Sequence, residues 1–322
     1  MSDSRRVHSF IAKPFVSGFT RLMAAFPPLR ATMTATPEPR SREDAARARS
    51  VALLWGAICH VTFALAVLSM IFAMWYGMSH SLGRVPQPFA WLANLALLLQ
   101  FAVTHSLLLT RPGQRVLAAL APPGRGRTLA TTTYAIIASI QLLALFALWT
   151  PSGIIWWEAS GISLWLVTLL YAVSWLLLIK ASWDAGAEVQ SGLLGWVSLF
   201  RGVRPEFPPM PTTGLFRIVR QPIYVSFALT TWFVPTWTPD QLLLATVLTA
   251  YCLIGPLAKE RRFARRFGDH WNAYRATHQY WIPKIRTKIP RYMASFETAL
   301  NPRIESDVSG TRTPRQFRIR RP

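Results

Sequence analysis

The sequence is poor in charge, and especially in acidic side chains, for a chain of 322 residues. Only 15% of its residues are charged and 14 are Asp or Glu, whereas 52% are hydrophobic. A water-soluble domain needs more charged surface than this, so the composition argues against a soluble enzyme. Cysteine is also scarce. Cys59 and Cys252 each lie within an apolar run, which indicates reduced, buried thiols and excludes a disulfide framework.

Several motifs of soluble enzymes are missing. The sequence contains no Gly-rich phosphate-binding loop, no His-Glu-x-x-His and no Cys-x-x-Cys. Nucleotide hydrolysis and a structural zinc site are therefore unsupported, and we predict no metal site.

Long uncharged runs are the main positive feature. A membrane-spanning helix needs about 20 apolar residues, and hydrocarbon selects for runs of this kind. The last two runs are short and meet in a tight turn around Pro239, so they are predicted to form a helical hairpin of two spans; a hairpin that enters the membrane and returns without crossing it stays open as the alternative. Six runs contain no Asp, Glu, Lys or Arg: 51–76, 85–110, 128–157, 159–179, 221–239 and 241–258.

The basic residues predict the topology, because Lys and Arg accumulate on the cytoplasmic side of membrane spans. All of the 35 Lys and Arg residues except Arg84 lie on alternate connections or at the two ends. We therefore predict an all-α polytopic membrane helix bundle with six spans and both ends cytoplasmic. The net charge of +21 is expected to attract anionic lipid headgroups, and no nucleic-acid partner is predicted.

The predicted organisation has three parts. Residues 1–49 form a basic, disordered arm, 50–285 the transmembrane domain and 286–322 a basic, disordered tail. The first apolar run is too long for a signal peptide and is expected to remain as an anchor. At one set of span ends, tryptophans predict an outer interfacial belt: Trp149, Trp156, Trp157, Trp232 and Trp237.

Two further segments are predicted on the cytoplasmic side. The uncharged stretch 189–200 is too short to cross a bilayer and is expected at its interface. After the last span, Phe263, Phe267, Trp271 and Tyr274 recur at helical spacing, which predicts an amphipathic helix. Its predicted roles are to anchor the chain to headgroups and to close a cytoplasmic pocket.

The candidate site comes from residues around the last two runs. Residues 213–224 read Thr-Gly-Leu-Phe-Arg-Ile-Val-Arg-Gln-Pro-Ile-Tyr, and Lys259-Glu260-Arg261 follows the sixth run. Together with Thr104-His105-Ser106, this arrangement resembles the membrane methyltransferases of the isoprenylcysteine carboxyl methyltransferase class. It is most similar to their bacterial thiol-methylating relatives, the methanethiol S-methyltransferases. The resemblance covers about residues 45–285.

The resemblance implies that S-adenosylmethionine binds from the cytosol to an Arg-His-Pro-x-Tyr segment and a Glu-Glu pair. An arginine can bind the methionyl carboxylate with two hydrogen bonds, and a glutamate can accept from the ammonium group or ribose. Glu260 is also predicted to be catalytic. The predicted cofactor-binding residues are Gly214, Arg220, Gln221, Pro222, Tyr224 and Glu260.

The chain departs from that family pattern at two positions. Gln221 stands where the family has His, and Lys259 stands where it has the first Glu. Glutamine keeps hydrogen-bonding groups but cannot carry charge. Lys259 reverses a charge close to a cationic sulfonium, so both residues are expected to affect donor binding.

The predicted chemistry is modest. Methyl transfer is an in-line displacement, and a thiolate is a strong nucleophile once the thiol proton is removed. His105 is the predicted base, because an unperturbed histidine has a pKa of about 6.5. His60 and His80, in and beyond the first run, are assigned no role.

We therefore predict an S-adenosylmethionine-dependent thiol S-methyltransferase in the bacterial inner membrane, which acts on a small or lipophilic thiol. The specific reaction that we predict is the conversion of methanethiol to dimethyl sulfide. A prenylated cysteine carboxylate and a phospholipid amine stay open as acceptors. The His-Ser element also resembles haem-associated membrane proteins of denitrification and carotenoid isomerisation, which predicts a Soret band. A third hypothesis keeps the fold but loses catalysis, because of Gln221 and Lys259.

Overall fold

A computed structural model describes residues 42–283 of the chain, as ten α-helices and one pair of two-residue strands. A single turn of 3₁₀-helix covers Gly214–Arg217. In chain order the elements are α1 (Arg42–Trp75), α2 (Phe89–Leu108), α3 (Arg111–Leu120), α4 (Gly126–Ala147), β1 (Trp157–Glu158), α5 (Gly161–Asp184), α6 (Ala187–Gln190), α7 (Leu193–Arg201), α8 (Pro222–Trp232), β2 (Thr236–Trp237), α9 (Pro239–Phe267) and α10 (Asp269–Thr277).

Five of these helices, α1, α2, α4, α5 and α9, are long and apolar enough to cross a membrane. In the 18-residue window that qualifies each helix, only 11–39% of the residues are buried inside the protein. Large side chains such as Ile162, Trp165 and Leu176 are exposed. Apolar surface on this scale requires hydrocarbon around it. The predicted all-α polytopic membrane bundle is confirmed.

The fifth apolar run differs from the predicted helical span. Only its first part is helical, because α8 has 11 residues and a helical span needs about 20. The chain then continues to β2, which pairs antiparallel with β1. Pro235 has no backbone N–H to donate, and its carbonyl accepts a hydrogen bond from Ala159 N at 2.9 Å. Strand pairing thus replaces the missing helical turns.

Both ends of α8 nevertheless lie against α9. At the start, Gln221 contacts Glu260, and at the end the Thr231 carbonyl accepts from Gln241 Nε2 at 2.7 Å. Gln241 and Glu260 are 19 residues apart in α9, which has 29 residues. The fifth run therefore lies beside about two thirds of α9, beginning as the helix α8 and continuing as extended chain after Trp232.

The largest buried cluster surrounds Met74, Trp149 and Leu244, at the end of the bundle where α9 begins. Trp149 is fully buried, and its indole Nε1 donates to Asp240 Oδ1 at 3.0 Å. The prediction that Trp149 belongs to an outer belt is therefore wrong, whereas Trp156 of the same group is exposed. A buried carboxylate satisfies the indole here.

The stretch 189–200, predicted at the membrane interface, is packed within the bundle. Its helix α7 packs against α1 and α4, and the ring of Trp196 lies on Gly56, where an added Cβ would come within 2.6 Å of the indole. Trp196 Nε1 also donates to His60 Nε2 at 3.1 Å, which gives His60 a structural role. The apolar residues of this stretch therefore contact protein and not headgroups, and its position at the membrane interface stays a prediction.

The boundaries of the three predicted parts are only partly within the described residues. Helix α1 begins at Arg42 and so includes the last eight residues of the predicted arm, 42–49. The remainder of the arm and the tail 286–322 lie outside the described part of the chain.

The predicted C-terminal amphipathic helix is divided between two elements. Its first part belongs to α9, which ends at Phe267. Gly268, with a φ of 52°, separates α9 from α10. The aromatic face packs inward, because Phe263 and Phe267 lie against Trp271 and Met210. This packing favours the second predicted role of the segment, closing a pocket.

Candidate functional site

Three polar side chains meet where the start of α8 lies against α9. Gln221 donates from Nε2 to Glu260 Oε1 at 2.8 Å, and Arg220 Nε lies 3.4 Å from the same oxygen. Gln221 and Glu260 are buried, and only 11% of the Arg220 side chain is exposed. The structure thus brings together three of the predicted cofactor-binding residues.

Arg220 is fixed from several directions. Its backbone N donates to Gln279 O at 2.8 Å, and its Nη1 donates to Arg275 O at 3.3 Å. The guanidinium carbon lies 6.0 and 5.5 Å from the ring centres of Trp271 and Tyr280. Its buried Nε makes the ion pair with Glu260 but no hydrogen bond within the described residues. Arg220 is therefore held in place with hydrogen-bonding capacity left over.

Lys259 occupies a cage of aromatic rings beside this ion pair. Its Nζ lies 5.7, 5.6 and 5.4 Å from the ring centres of Phe216, Tyr224 and Phe263. It also donates to Gln221 Oε1 at 3.4 Å. The two departures from the family pattern, Gln221 and Lys259, therefore contact each other.

A narrow recess lies between these groups and α10. Burial raises the pKa of Tyr274 to about 12, so its hydroxyl stays protonated and donates to Phe216 O at 2.7 Å. The side chains meet so closely that no water-sized space remains between them. The recess is lined by Pro211, Phe216, Arg220, Gln221, Lys259, Glu260, Phe263, Trp271 and Tyr274.

The charges of these residues complement the charges at the methionyl end of S-adenosylmethionine. Arg220 offers an unsatisfied N–H to a carboxylate, and Glu260 offers an anion to an ammonium group. The rings of Phe216 and Trp271 provide apolar walls. Because the recess is closed, side chains of α10 or α9 must move to admit a molecule of this size.

Gly214, also predicted to bind the cofactor, lies beside Asp184 at the end of α5. Its φ is +60°, and an added Cβ would collide with the Asp184 carboxylate. Asp184 Oδ2 accepts from Leu215 N at 2.9 Å, and Asp184 also pairs with Lys180. The contacts of Gly214 therefore support a backbone role. Without a side chain at this position, Asp184 at the end of α5 can bind the backbone of the turn that leads to Arg220.

We expect Gly214→Ala to lower the stability of the protein and to weaken donor binding. A left-handed φ costs a non-glycine residue about 1–2 kcal/mol, and the collision with Asp184 adds to this cost. Thermal unfolding in detergent micelles measures the change. Gly124→Ala is the matched control, because Gly124 has a φ of +75° but nothing within 4 Å of the added Cβ. Equal losses in both variants would contradict the role of Asp184.

Pro222 and Tyr224 support the site from α8. Pro222 is at the first helical position, where its fixed φ favours helix initiation. Tyr224 faces Lys259 and forms one wall of the cage. Within residues 42–283, no hydrogen bond or ion pair joins either residue to Arg220 or Glu260.

His105, the predicted base, belongs to a separate cluster between α2, α4 and α9. Its Nε2 forms a hydrogen bond of 2.7 Å with Tyr134 OH, and its ring also contacts Phe101 and Tyr251. Its Nδ1 is buried without a hydrogen-bond partner in the described residues. One ring nitrogen is therefore left for another group.

Some residues of the site are not among the predicted cofactor-binding residues, although Phe263 is predicted to lie on the amphipathic helix. Phe216 and Phe263 form walls of the cage, and Gln279 holds the Arg220 backbone. Helical spacing could have identified Phe263, because it lies four residues after Lys259 on the same face of α9. In the described residues, no group of three or more His, Cys, Asp or Glu side chains could hold a metal ion.

The sequence is similar to membrane methyltransferases of several bacteria. It is 31% identical over 196 residues to methanethiol S-methyltransferase 2 of Bradyrhizobium diazoefficiens, covering 61% of this chain and 74% of that protein. It is 28% identical over 239 residues to a methanethiol S-methyltransferase of a Pseudomonas species, covering 72% of this chain and 90% of the other.

A mammalian relative is also similar. Nurim of Rattus norvegicus is 31% identical over 177 residues, covering 50% of this chain and 63% of that protein. No protein-family model matches the chain, and no solved structure matches it. Because similarity to the Bradyrhizobium enzyme extends over most of its length, and the fold is a multi-pass helix bundle, the chain belongs to the methanethiol S-methyltransferase family of membrane methyltransferases.

Proposed function

We propose that this protein transfers a methyl group from S-adenosylmethionine to a small or lipophilic thiol in the bacterial inner membrane. Methanethiol, giving dimethyl sulfide, is the specific acceptor that we propose. The observation that carries the proposal is the buried Arg220–Gln221–Glu260 network beside an aromatic recess. The choice of acceptor comes from the similar bacterial proteins, which are methanethiol S-methyltransferases.

The charges of the network suit an amino-acid group. When bound, S-adenosylmethionine supplies an electrophilic methyl group on a positively charged sulfur. In the proposed mechanism Arg220 binds the carboxylate of the donor, and Glu260 accepts hydrogen bonds from its ammonium group. Gln221 keeps the Glu260 carboxylate oriented through the 2.8 Å hydrogen bond. Phe216 and Trp271 exclude water from the reacting groups.

The acceptor must lose its thiol proton before it can attack. We propose His105 as the base, because one nitrogen of its buried ring has no hydrogen-bond partner in the described residues. Tyr134 fixes the ring through the other nitrogen, at 2.7 Å. A lipophilic thiol is expected to enter from the bilayer, and its proton passes to His105 as the thiolate forms.

The site is proposed to face the cytosol. Arg261, Arg262, Arg265 and Arg266 follow Glu260 on α9, so this end of the helix carries a dense positive charge. Basic residues at the end of a span favour the cytoplasmic side and its anionic lipids.

The function is tested with membranes containing the full chain and a donor labelled in the methyl group. Three acceptors are compared: methanethiol, a prenylated cysteine and phosphatidylethanolamine. We expect labelled dimethyl sulfide in the headspace with methanethiol. Arg220→Ala is expected to lower the rate at least tenfold at limiting donor, because a charge-assisted hydrogen bond contributes about 1.5–3 kcal/mol.

Arg204→Ala is the matched control, since Arg204 is exposed on the loop before α8. Label appearing in the prenylated cysteine or the lipid, without volatile product, would replace the thiol by one of the alternative acceptors. Equal rates in wild type and Arg220→Ala would remove Arg220 from the donor site.

A further inference from the structure

The occupant of the aromatic cage is the chain's own lysine. The Lys259 ammonium lies 5.4–5.7 Å from the centres of three rings, those of Phe216, Tyr224 and Phe263. Rings that surround a cation at this range are how proteins recognise quaternary ammonium groups. The same quadrupole attraction acts on a sulfonium. The cage therefore suits an external onium ion.

Lys259 is held weakly in the cage. No carboxylate forms an ion pair with it within the described part of the chain. Its hydrogen bond to Gln221 Oε1 is 3.4 Å long, beyond the usual range of about 2.7–3.2 Å. A lysine carries its ammonium on a flexible four-carbon stem. On leaving the cage for water, the ammonium breaks no ion pair and only this long hydrogen bond, so the contacts with the rings and the attraction of the neighbouring Glu260 are what hold it there.

The cage and the recess share their walls. Phe216 and Phe263 line both, and the side-chain amide of Gln221 joins Lys259 to Glu260. In S-adenosylmethionine the sulfonium is separated from the amino-acid carbon by two methylene groups. A donor anchored at Arg220 and Glu260 therefore has its positive sulfur within reach of the cage.

We propose that this cage is the sulfonium-binding part of the donor site. The Lys259 ammonium occupies the cage when no donor is bound, and it competes with the donor's sulfonium for the three rings. The identity of the ligand rests on the proposed function, whereas the cage can be tested without it. Two cations repel each other at such short range, so the lysine leaves the cage when a sulfonium enters. Gln221, which contacts Lys259, then keeps only its hydrogen bond to Glu260. The two departures from the family pattern thus act as one unit that lowers donor affinity.

Calorimetry with the full-length protein in nanodiscs tests the cage, with trimethylsulfonium as the first probe. We expect Lys259→Met, which removes the charge and keeps an unbranched side chain, to bind trimethylsulfonium at least tenfold more tightly than wild type. Lys259→Arg keeps the charge and is expected to show no gain. Adding Phe263→Leu to Lys259→Met is expected to reverse the gain. Equal affinities of wild type and Lys259→Met would overturn the proposal.

The second probe pair is S-adenosylmethionine and S-adenosylhomocysteine, which lacks the positive charge on sulfur. We expect Lys259→Met to raise the affinity ratio of the charged to the neutral compound at least tenfold. An unchanged ratio would overturn the proposal. If trimethylsulfonium binds Lys259→Met as expected but wild type transfers no methyl group to methanethiol, the cage stands and the proposed function fails.

A measurement on the wild type covers the case in which Lys259→Met does not fold. Reductive methylation modifies accessible lysines, and mass spectrometry of the peptide containing Lys259 reports its extent. We expect S-adenosylmethionine to increase the modification of Lys259, because the donor displaces the ammonium from the rings. Reduced or unchanged modification would show that the lysine stays in the cage, which contradicts the proposal.

Discussion

Glu260→Gln is expected to weaken the binding of S-adenosylmethionine about 10–100-fold, because the donor's ammonium group loses its anionic partner. Hydrogen bonds to charged groups contribute about 1.5–3 kcal/mol, and each 1.4 kcal/mol corresponds to about a factor of ten. Glutamine keeps the size of the side chain and can still accept from Gln221. The substitution therefore removes charge without removing packing. Calorimetric titration of the purified protein with the donor measures the loss.

The substitution also leaves Arg220 without its counter-ion, since Arg220 and Glu260 form one ion pair. Removing one partner of a largely buried pair destabilises the fold, so thermal unfolding must be measured alongside binding. Glu206→Gln is the matched control, because Glu206 is exposed. Donor affinity that is equal in the two variants would show that the ammonium group does not bind at Glu260.

The long helices of the bundle could be predicted from the sequence, because each coincides with an uncharged run. Five runs correspond to α1, α2, α4, α5 and α9. The run 221–239 is the exception, and its prolines give part of the physical reason. Pro222 begins α8, and Pro235 cannot donate the hydrogen bond that a continuing helix would require. The prolines alone do not distinguish the two runs, because α9 continues through Pro256; the pairing of β2 with β1 is what ends the fifth run as extended chain.

The placement of α7 could not be predicted in the same way. Its apolar residues suit a membrane interface and a protein core equally. The deciding contact is the ring of Trp196 on Gly56, which joins positions 140 residues apart in the sequence. Only the packing of α7 against α1 determines that these two residues meet.

Only part of the candidate site could be predicted from the sequence. Arg220, Gln221 and Glu260 could be chosen from a resemblance to a family, and the structure places them in contact. The cage around Lys259 takes its rings from three different elements, the 3₁₀ turn, α8 and α9. No local pattern brings such rings together, because their proximity depends on how α8 packs against α9.

Asp240 provides the strongest test of the other end of the bundle. It is buried, and its two oxygens accept separate hydrogen bonds, from Trp149 Nε1 at 3.0 Å and from Ser152 N at 2.8 Å. Asp240 also lies in the first turn of α9, where a negative charge favours the helix dipole. The Asp240 carboxylate therefore joins the segment after α4 to the start of α9 through two hydrogen bonds.

We expect Asp240→Asn to destabilise the protein by about 3 kcal/mol. An amide has only one acceptor oxygen, so its N–H₂ group would face the second N–H donor, which would lose its acceptor. For a chain of 322 residues, with an unfolding entropy of about 2.1 cal/mol/K per residue, the loss corresponds to a fall of about 4 °C in the unfolding temperature. Donor affinity of the folded fraction should not change, since Asp240 and Glu260 are separated by about 30 Å along α9. Asp269→Asn, an exposed change in the first turn of α10, is the control in detergent unfolding. An unfolding temperature equal to that of the control would show that Asp240 does not fasten the two segments.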